Sequence, residues 1–209
     1  MKRLLIVDGH AMVRAGLALL LTETMDLQTV DEAGNAAETL SAVAATAYNL
    51  VIMDVRMQGR SGLECLRAIR KHHPAVPVLV LSTYPEDQYA VRALRAGAAG
   101  YLTKDRPPRE LITAVRRILA GGRYISDGLA QTLAESFATE GDEPPHTRLS
   151  ERELQVLLGL ARGRTVTEIG EDLSLSVKTV STYRARVLQK MDMTLNAELI
   201  RYAVEHDLV

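Results

Sequence analysis

Four polar side chains stand at the ends of apolar segments and could together carry out phosphoryl chemistry. Asp54 ends the wholly apolar run Leu50–Met53, which is the pattern of a strand buried on both faces of a parallel sheet. Asp8, Ser82 and Lys104 end or follow other short apolar runs. A carboxylate can attack phosphorus to give an acyl phosphate, and a hydroxyl and an ammonium can hold the phosphoryl oxygens. The sequence therefore predicts a phosphate-accepting site, provided that one fold brings the four residues together.

A core carboxylate is the alternative interpretation of Asp54. An unpaired charge in a protein interior costs several kcal/mol, and Asp54 is followed at once by the Gly-containing loop Val55–Gly62. In open parallel sheets, ligands bind outside the carboxyl ends of the strands. The position of Asp54 at such an end favours a site.

Strands and helices are predicted to alternate through residues 1–121. The predicted strands are Arg3–Val7, Gln28–Glu32, Leu50–Asp54, Pro77–Ser82 and Gly100–Leu102. The predicted helices are Ala11–Leu21, Asn35–Ala47, Gly62–His72, Glu86–Ala96 and Pro107–Ala120. This alternation requires right-handed crossovers, so we expect an α/β domain with a doubly wound, flavodoxin-like five-stranded parallel sheet.

Composition limits the remaining possibilities. The chain has 209 residues and a formal net charge of −1, so any nucleic-acid surface must be local. Its single cysteine, Cys65, excludes an internal disulfide framework. The first apolar run, Leu4–Val7, is interrupted at once by Asp8, and no run approaches the roughly 18 apolar residues of a membrane span. We expect a cytoplasmic protein.

Residues 122–146 have the composition of a linker. Its first part, Ile125 to Phe137, keeps helical periodicity, with Ser126 or Asp127 as the cap. Its second part, Thr139 to His146, carries acids, Gly and two Pro with almost no apolar content. That composition predicts a flexible connector between two domains.

The last segment, 147–209, contains repeated helix-start signals. Ser150–Glu153 and Thr165–Glu168 both have the capping-box pattern, Ser176 is positioned to cap a third helix, and a fourth helix is predicted from Leu195 to His206. Short helices joined by short turns predict a small all-α domain built around a helix-turn-helix.

The third of these helices has a distinctive charge pattern. No acid lies between Ser176 and Met191, whereas four basic residues do, namely Lys178, Arg184, Arg186 and Lys190. One face is formed by positions i, i+3, i+4 and i+7, namely Lys178, Ser181, Thr182 and Ala185. Small side chains suit close approach to base edges, and long basic chains at the margins can reach phosphates. A solvated basic face is the alternative, but the preceding helix-turn pattern favours DNA.

Residues 1–121 resemble the receiver domain of bacterial two-component response regulators. The stretch Ala96–Lys104 is similar to the final strand of that family. Four positions match its functional residues: Asp54 the phosphoacceptor, Ser82 the switch hydroxyl, Tyr101 the switch aromatic and Lys104 the phosphate-binding lysine. The resemblance implies that a histidine kinase phosphorylates Asp54, that Ser82 then moves inward, and that Tyr101 fills the space behind it. The charge added at the rim would thereby remodel a distant face.

One residue departs from the family pattern. The family ends its first strand with two adjacent acids, and the second binds the metal directly. Here the first is Asp8, but the second position holds Gly9. The resemblance therefore implies Mg²⁺ held by Asp54, the backbone carbonyl of Arg56 and, at longer range, Asp8. We expect binding that is weakened by the loss of one ligand but not abolished, because Mg²⁺ can be held by one or two carboxylates together with phosphate oxygens.

Residues 147–209 resemble the LuxR-type DNA-binding domain, and both domains in this order are typical of NarL/FixJ response regulators. The matching stretches are Leu149–Glu153, Val166–Gly170 and Ser176–Tyr183. The resemblance implies that the third helix enters the major groove and that two subunits pair on inverted half-sites of a promoter. The predicted DNA-binding residues are Lys178, Thr179, Ser181, Thr182, Arg184, Ala185, Arg186 and Lys190.

Two functions remain open at this point. The first is a transcription regulator controlled by phosphorylation of Asp54. The second is a phosphorylation-independent regulator whose receiver acts as a dimerisation or protein-interaction module, because Gly9 removes a metal ligand. An aspartate-nucleophile phosphatase is disfavoured, since its general acid would stand two residues after the nucleophile, where this chain has Arg56. We therefore expect no enzyme.

Overall fold

The structure is a computed structural model that describes residues 2–25, 27–57, 61–84, 86–126, 128–131, 144–206 and 208–209. The chain forms two compact units, Met1–Ser136 and Phe137–Val209. The boundaries drawn from the sequence, at residues 121 and 146, stay a prediction.

The first unit is built on a five-stranded parallel sheet. Its strands are β1 Lys2–Val7, β2 Leu27–Ala33, β3 Leu50–Asp54, β4 Val78–Ser82 and β5 Gly100–Thr103. They are ordered β2-β1-β3-β4-β5, and every neighbouring pair is parallel. All five residues of β3 and all five of β4 are buried, as expected for strands covered on both faces. The predicted fold class is confirmed.

Five helices follow the strands in alternation. They are α1 Ala11–Thr24, α2 Ala36–Ala45, α3 Gly62–His72, α4 Glu86–Arg95 and α5 Pro108–Leu119. Right-handed crossovers in this strand order put α1 and α5 on one face and α2, α3 and α4 on the other. Accordingly, α1 packs against α5, and α2 against α3. The core between α1, α5 and the sheet is aliphatic, and it fixes the strands whose ends carry the polar residues.

The helix ends differ slightly from the sequence prediction. Helix α1 extends to Thr24, because no Gly or Pro interrupts it after Leu21. Asn35 caps α2 as predicted, since its side chain accepts a hydrogen bond from the Glu38 N–H at 3.0 Å. Ser61 and Glu64 form a capping box that starts α3 at Gly62.

The chain after α5 returns to the edge of the sheet. The Tyr124 N–H donates to the Ala99 carbonyl at 2.9 Å, and Tyr124 forms an isolated bridge with Gly100 on β5. Residues 128–131 are helical, and Ser126 Oγ accepts from the Leu129 N–H at 3.1 Å, so Ser126 is the cap. The alternative cap, Asp127, and the predicted segments 132–137 and 139–143 lie outside the described residues.

The second unit is helical. A 3₁₀ turn, Pro145–Arg148, precedes α6 Glu151–Ala161, α7 Val166–Leu173, α8 Val177–Lys190 and α9 Asn196–Glu205. Both predicted capping boxes and the Ser176 cap are present, because each depends on residues a few positions apart. Helix α6 packs against α8 and α9, and α7 packs against α8. No helix in the described part of the chain is long and apolar enough to cross a membrane.

A glycine sets the tight turn between α7 and α8. A Cβ on Gly170 would lie 2.8 Å from the backbone oxygen of Leu175, closer than real Cβ atoms approach. The Leu175 N–H also donates to the Gly170 carbonyl at 2.8 Å. The absence of a side chain at Gly170 therefore allows the two helices of the predicted helix-turn-helix to meet.

Candidate functional site

The strand ends bring two carboxylates and one ammonium together. Lys104 Nζ donates to Asp54 Oδ2 at 2.7 Å and to Asp8 Oδ2 at 2.5 Å. The side chains of Asp8 and Asp54 are only 2% and 3% exposed, and that of Lys104 is 17% exposed. Because both acids are buried, each requires a partner, and one ammonium serves both. We name this cluster of Asp8, Asp54 and Lys104 the acidic pocket.

Asp54 is held in an environment that disfavours its charge. Burial raises the pKa of Asp54 above its ordinary value, and the nearby Asp8 carboxylate raises it further. The ion pair with Lys104 and the hydrogen bond from the Arg56 N–H, at 3.1 Å, only partly oppose this rise. The partners of Asp54, the carboxylate predicted to accept phosphate, therefore stabilise its negative charge only in part.

The loop after Asp54 depends on a second close backbone approach. A Cβ on Gly62 would lie 2.4 Å from the Asp54 carbonyl oxygen and 2.7 Å from the Cα of Val55. The Gly62 N–H donates to the Val55 carbonyl at 2.9 Å. Glycine at position 62 thus lets the loop fold back so that α3 starts beside the pocket. Residues 58–60 of this loop lie outside the described residues.

The loop that carries Gly9 is held by its neighbours. The His10 N–H donates to Asp8 Oδ1 at 2.8 Å, and the His10 ring lies 3.1 Å from the same oxygen. Arg14 donates to the Asp8 carbonyl at 2.8 Å and to Glu32 Oε2 at 2.9 Å. A Cβ on Gly9 would meet nothing within 4 Å. The missing acid therefore leaves open space rather than a repacked pocket.

The predicted switch residues lie beside the pocket on β4 and β5. Ser82 is fully buried, and its Oγ accepts from the Tyr84 N–H at 3.0 Å. Tyr101 is also fully buried, and its hydroxyl donates to the Tyr84 carbonyl at 2.7 Å. The ring of Tyr84 stacks on Tyr89 of α4, with centroids 4.2 Å apart. Tyr84 thus connects both switch residues to α4.

One contact on this face was not predicted from the sequence. Glu86, the first residue of α4, accepts a hydrogen bond from Ser126 Oγ at 2.5 Å. Ser126 is also the cap of the helical residues 128–131. The capping pattern identified Ser126, but nothing in the sequence pairs it with an acid forty residues earlier.

The described residues hold few candidate metal ligands. No group of three or more His, Cys, Asp and Glu among them is arranged to hold a metal ion. Asp8 and Asp54 are the carboxylates at the strand ends, and the predicted third ligand is the carbonyl of Arg56. Two carboxylates are within the number that Mg²⁺ uses together with phosphate oxygens.

The exposed face of α8 agrees with the helical spacing. Lys178, Ser181, Thr182 and Ala185 are all exposed, and so is Gln189, which continues the same face one turn later. Thr182 Oγ1 donates to the Lys178 carbonyl at 2.9 Å, and Thr179 Oγ1 lies 2.8 Å from Ser176 Oγ. The hydroxyls of these threonines thus have partners within the helix or at its cap.

Three of the four basic side chains of α8 have partners within the unit. Lys190 Nζ donates at 2.7 Å to Glu153 Oε2, whose side chain is 3% exposed. The Arg186 guanidinium lies 5.9 Å from the centre of the Tyr183 ring. Arg184 Nε donates to Asn196 Oδ1 at 2.6 Å. The sequence suggested that no acid opposed these charges, and α6 supplies one to Lys190.

Both halves of the chain match families of known proteins. Residues 4–116 match the response regulator receiver domain, and residues 147–203 match the bacterial regulatory proteins of the luxR family. Response regulator GacA of Pseudomonas viridiflava is 40% identical over 210 residues, which cover 100% of this chain and 98% of GacA. Response regulator UvrY of Escherichia coli strain K12 is 37% identical over 209 residues, covering 100% of this chain and 96% of UvrY.

Solved structures share the fold. RcsB from Salmonella enterica serovar Typhimurium, bound to promoter rprA in the presence of the phosphomimetic BeF₃⁻, gives a TM-score of 0.62 at 22% identity, covering 96% of this chain and 97% of RcsB. A LuxR-family response regulator from Aurantimonas sp. SI85-9A1 gives a TM-score of 0.61 at 35% identity, covering 66% of this chain and 99% of that one. Because the two families cover the two units and the relatives align over the whole chain, this protein belongs to the NarL/FixJ family of response regulators, in which a receiver domain is joined to a LuxR-type DNA-binding domain.

Proposed function

We propose that a sensor histidine kinase phosphorylates Asp54 and that the phosphorylated receiver promotes binding of the LuxR-type domain to promoter DNA. The observation that supports this most directly is the ion pair between Lys104 and Asp54 at the end of β3. In the transfer, an Asp54 oxygen forms a bond to phosphorus while the bond from phosphorus to the donor imidazole breaks. Lys104 would then pair with the phosphoryl oxygens, as an ammonium commonly does.

Mg²⁺ is the cofactor that receiver domains typically bind at the phosphorylation site. Asp54, Asp8 and the carbonyl of Arg56 would hold it here, and when bound it supplies positive charge that screens the incoming phosphoryl group. Gly9 provides no ligand, and both acids already share Lys104. Weak binding follows, because the ion must compete with an ammonium for two carboxylates instead of three.

The contacts around Tyr84 offer a route from the pocket to the far face. A phosphoryl group that attracts the Ser82 hydroxyl would disturb the hydrogen bond from the Tyr84 N–H. Tyr84 also accepts from Tyr101 and stacks on Tyr89 of α4. Movement of the loop between β4 and α4 would therefore reach α4 itself.

The DNA-binding surface we propose is the exposed face of α8. Ser181, Thr182 and Ala185 would approach base edges in the major groove, Lys178 and Arg184 would reach phosphates, and Thr179 and Arg186 lie at the margins. RcsB supports DNA binding by such a domain, since its structures include two RcsB dimers bound to two parallel DNAs. We propose that this protein likewise binds DNA, as a homodimer on inverted half-sites. It would act in the cytoplasm, where promoter DNA is found, and would have no enzymatic activity.

The experiment compares the wild-type protein with the Asp54→Asn variant in the presence of a small-molecule phosphodonor and Mg²⁺. Intact mass detects the acyl phosphate, and fluorescence anisotropy on a promoter duplex and a random duplex measures specific binding. We expect phosphorylation of wild type alone, with tighter promoter binding. No preference for promoter over random DNA in either protein would refute the proposed function.

A phosphorylation-independent regulator is the second candidate. Lys104 already pairs with both carboxylates of the pocket, Asp8 and Asp54, so a metal ion would have to displace it. Gly9 also weakens the case for metal-assisted transfer. The receiver would then act as a dimerisation or protein-interaction module. Equal promoter affinity of wild type and Asp54→Asn, with and without phosphodonor, would favour this candidate.

A further inference from the structure

We infer that Asn196 is a positioning residue for DNA binding, which holds the guanidinium of Arg184 in place for a DNA phosphate. This inference rests on the proposed DNA-binding surface. Arg184 lies on α8, at i+3 from Ser181 on the edge of the exposed face, and Asn196 is the first residue of α9. Neither the sequence patterns nor the family resemblance assigns a role to Asn196.

The hydrogen bond to Asn196 uses only one of the three guanidinium nitrogens of Arg184. Nε donates to Asn196 Oδ1 at 2.6 Å, and within the described part of the chain the two terminal nitrogens have no hydrogen-bond partner. A long arginine side chain has many rotamers, and fixing it costs entropy when it binds. A bond at Nε removes part of this cost in advance while the two terminal nitrogens remain available for a bidentate contact with phosphate.

Electrostatics disfavours a purely structural explanation of this pair. Asn196 starts α9, and the N-terminal end of a helix carries partial positive charge, so a cation gains nothing there from the helix dipole. Glu198 already satisfies this end of the helix, because its Oε2 accepts from the Thr194 and Leu195 N–H groups at 2.8 and 2.9 Å. Within the described part of the chain no acid pairs with Arg184, so its charge is available to an anion.

The other basic residues of α8 provide the contrast. Lys190 is paired with the buried Glu153, so its charge is neutralised within the unit. Arg186 is exposed and lies over the Tyr183 ring. Arg184 differs from both, because its partner is the neutral side chain of Asn196, which fixes the direction of the guanidinium without neutralising its charge. Such an arrangement suits a residue that must contact a phosphate at a fixed position.

A double-mutant cycle in the full-length protein tests the inference. Binding to a random-sequence duplex is measured over a salt series for wild type, Asn196→Ala, Arg184→Ala and the double variant. We expect Arg184→Ala to lower the salt slope by about 0.9, the value for one phosphate contact. Asn196→Ala should weaken binding by about 2- to 10-fold, which corresponds to the cost of ordering one long side chain.

The coupling between the two positions decides the outcome. In the Arg184→Ala background, Asn196→Ala should have no further effect. Arg184→Lys should also abolish the effect of Asn196→Ala, because lysine has a single ammonium and cannot bind Asn196 through one nitrogen while two others contact the phosphate. Equal losses in both backgrounds would overturn the inference and assign Asn196 to the fold or to direct DNA contact. Thermal unfolding of each variant identifies a loss caused by the fold.

The failures can be told apart. If Arg184→Ala weakens binding but Asn196→Ala does not, the positioning role is wrong and the DNA-binding surface stands. If Arg184→Ala changes neither affinity nor salt slope, the phosphate role of Arg184 is wrong as well. If wild type does not bind the duplex, the proposed function itself fails.

Discussion

Lys104 Nζ lies 2.7 Å from Asp54 Oδ2 while it also contacts Asp8, so one ammonium is shared by two buried carboxylates. A divalent cation that enters this pocket must displace part of that shared interaction. A third acid at position 9 would change the balance, because the pocket would then hold more negative charge than Lys104 can compensate. We therefore expect the residue at position 9 to control how strongly the pocket attracts a metal ion.

We predict that Gly9→Asp raises Mg²⁺ affinity by at least about tenfold, the change typical of gaining or losing one metal-site group. The substitution should fold, since a Cβ at position 9 meets nothing within 4 Å. The affinity can be measured from the Mg²⁺ dependence of the thermal midpoint, and acyl-phosphate formation from intact mass over time.

Gly9→Asn is the matched control, because asparagine adds a similar volume without the charge. It should leave the Mg²⁺ affinity close to that of wild type. If Gly9→Asp also leaves metal affinity and phosphorylation rate unchanged, the missing acid has no role in this receiver.

We predict that Asp54→Asn stabilises the receiver at neutral pH by a few degrees in thermal midpoint. Burial raises the pKa of Asp54, so ionisation is less favourable in the folded state than in the unfolded state. Stability is therefore lost as the pH rises from the ordinary carboxyl pKa through the higher folded value. The advantage of the Asp54→Asn variant over the wild type should disappear in acid, where Asp54 is protonated in both states.

Asp105→Asn is a control on the same rim. A hydrogen bond from Thr103 lowers the pKa of the exposed Asp105, so its ionised form is favoured and Asn should bring no stabilisation. A lower thermal midpoint for Asp54→Asn at neutral pH would mean that the Lys104 ion pair outweighs burial.

The features predicted correctly from the sequence depend on local spacing. The β3 limits, Leu50–Asp54, and the α3 limits, Gly62–His72, agree with the prediction, because a short apolar run that ends in a carboxylate and the 3.6-residue period of an amphipathic helix are both clear local patterns. The strand-end position of Asp54 followed from the same pattern. Residues adjacent in sequence could thus be placed correctly.

The features that were missed are pairs between distant elements. Glu153 with Lys190, Ser126 with Glu86, and Arg184 with Asn196 each join two elements whose relative position depends on packing. Sequence patterns identified a cap or a basic helix at one end of each pair and could not identify the partner. Consequently, the prediction from the sequence counted Lys190 as an unpaired charge on α8, although Glu153 pairs with it.

We predict that Ser126→Ala loosens the helical residues 128–131. Ser126 Oγ accepts from the Leu129 N–H and donates to Glu86, so alanine removes both bonds. Loss of a serine cap costs about 1 kcal/mol, which corresponds to roughly fivefold faster amide exchange at Leu129. Hydrogen exchange of the full-length protein measures this rate.

Glu86→Gln separates the two bonds of Ser126, because it keeps an acceptor for the hydroxyl. Exchange at Leu129 should then stay close to wild type. If amide exchange at Leu129 in the Ser126→Ala variant is as slow as in the wild type, this segment is ordered by other contacts.

We predict that Lys190→Ala destabilises the DNA-binding domain by roughly 1 kcal/mol at neutral pH, the upper value for a partly exposed ion pair. Burial acts to raise the pKa of Glu153, but hydrogen bonds from Lys190 and Ser150 outweigh it, so the net pKa is lowered. A lowered folded pKa gives stability above the ordinary carboxyl pKa that is lost as the pH falls through the folded value.

The stabilities of wild type and Lys190→Ala should therefore converge in acid, as measured by urea unfolding followed by circular dichroism. Arg186→Ala, which removes an exposed charge from the same helix, should change stability little at either pH. A constant difference between wild type and Lys190→Ala at all pH values would exclude the ion pair with Glu153 as its cause.

The hydroxyl of Thr182 donates to the Lys178 carbonyl, so Thr182 presents mainly its methyl group and oxygen lone pairs to a bound duplex. A methyl group can read thymine through its C5-methyl. We predict that Thr182→Val, which keeps the methyl, retains operator preference within about threefold, whereas Thr182→Ala loses about 1 kcal/mol of discrimination. Binding assays on operators with thymine replaced by deoxyuridine provide the control, since removing the C5-methyl should abolish the difference between valine and alanine. If valine lowers preference as much as alanine, the hydroxyl of Thr182 reads the base and must leave Lys178 when DNA binds.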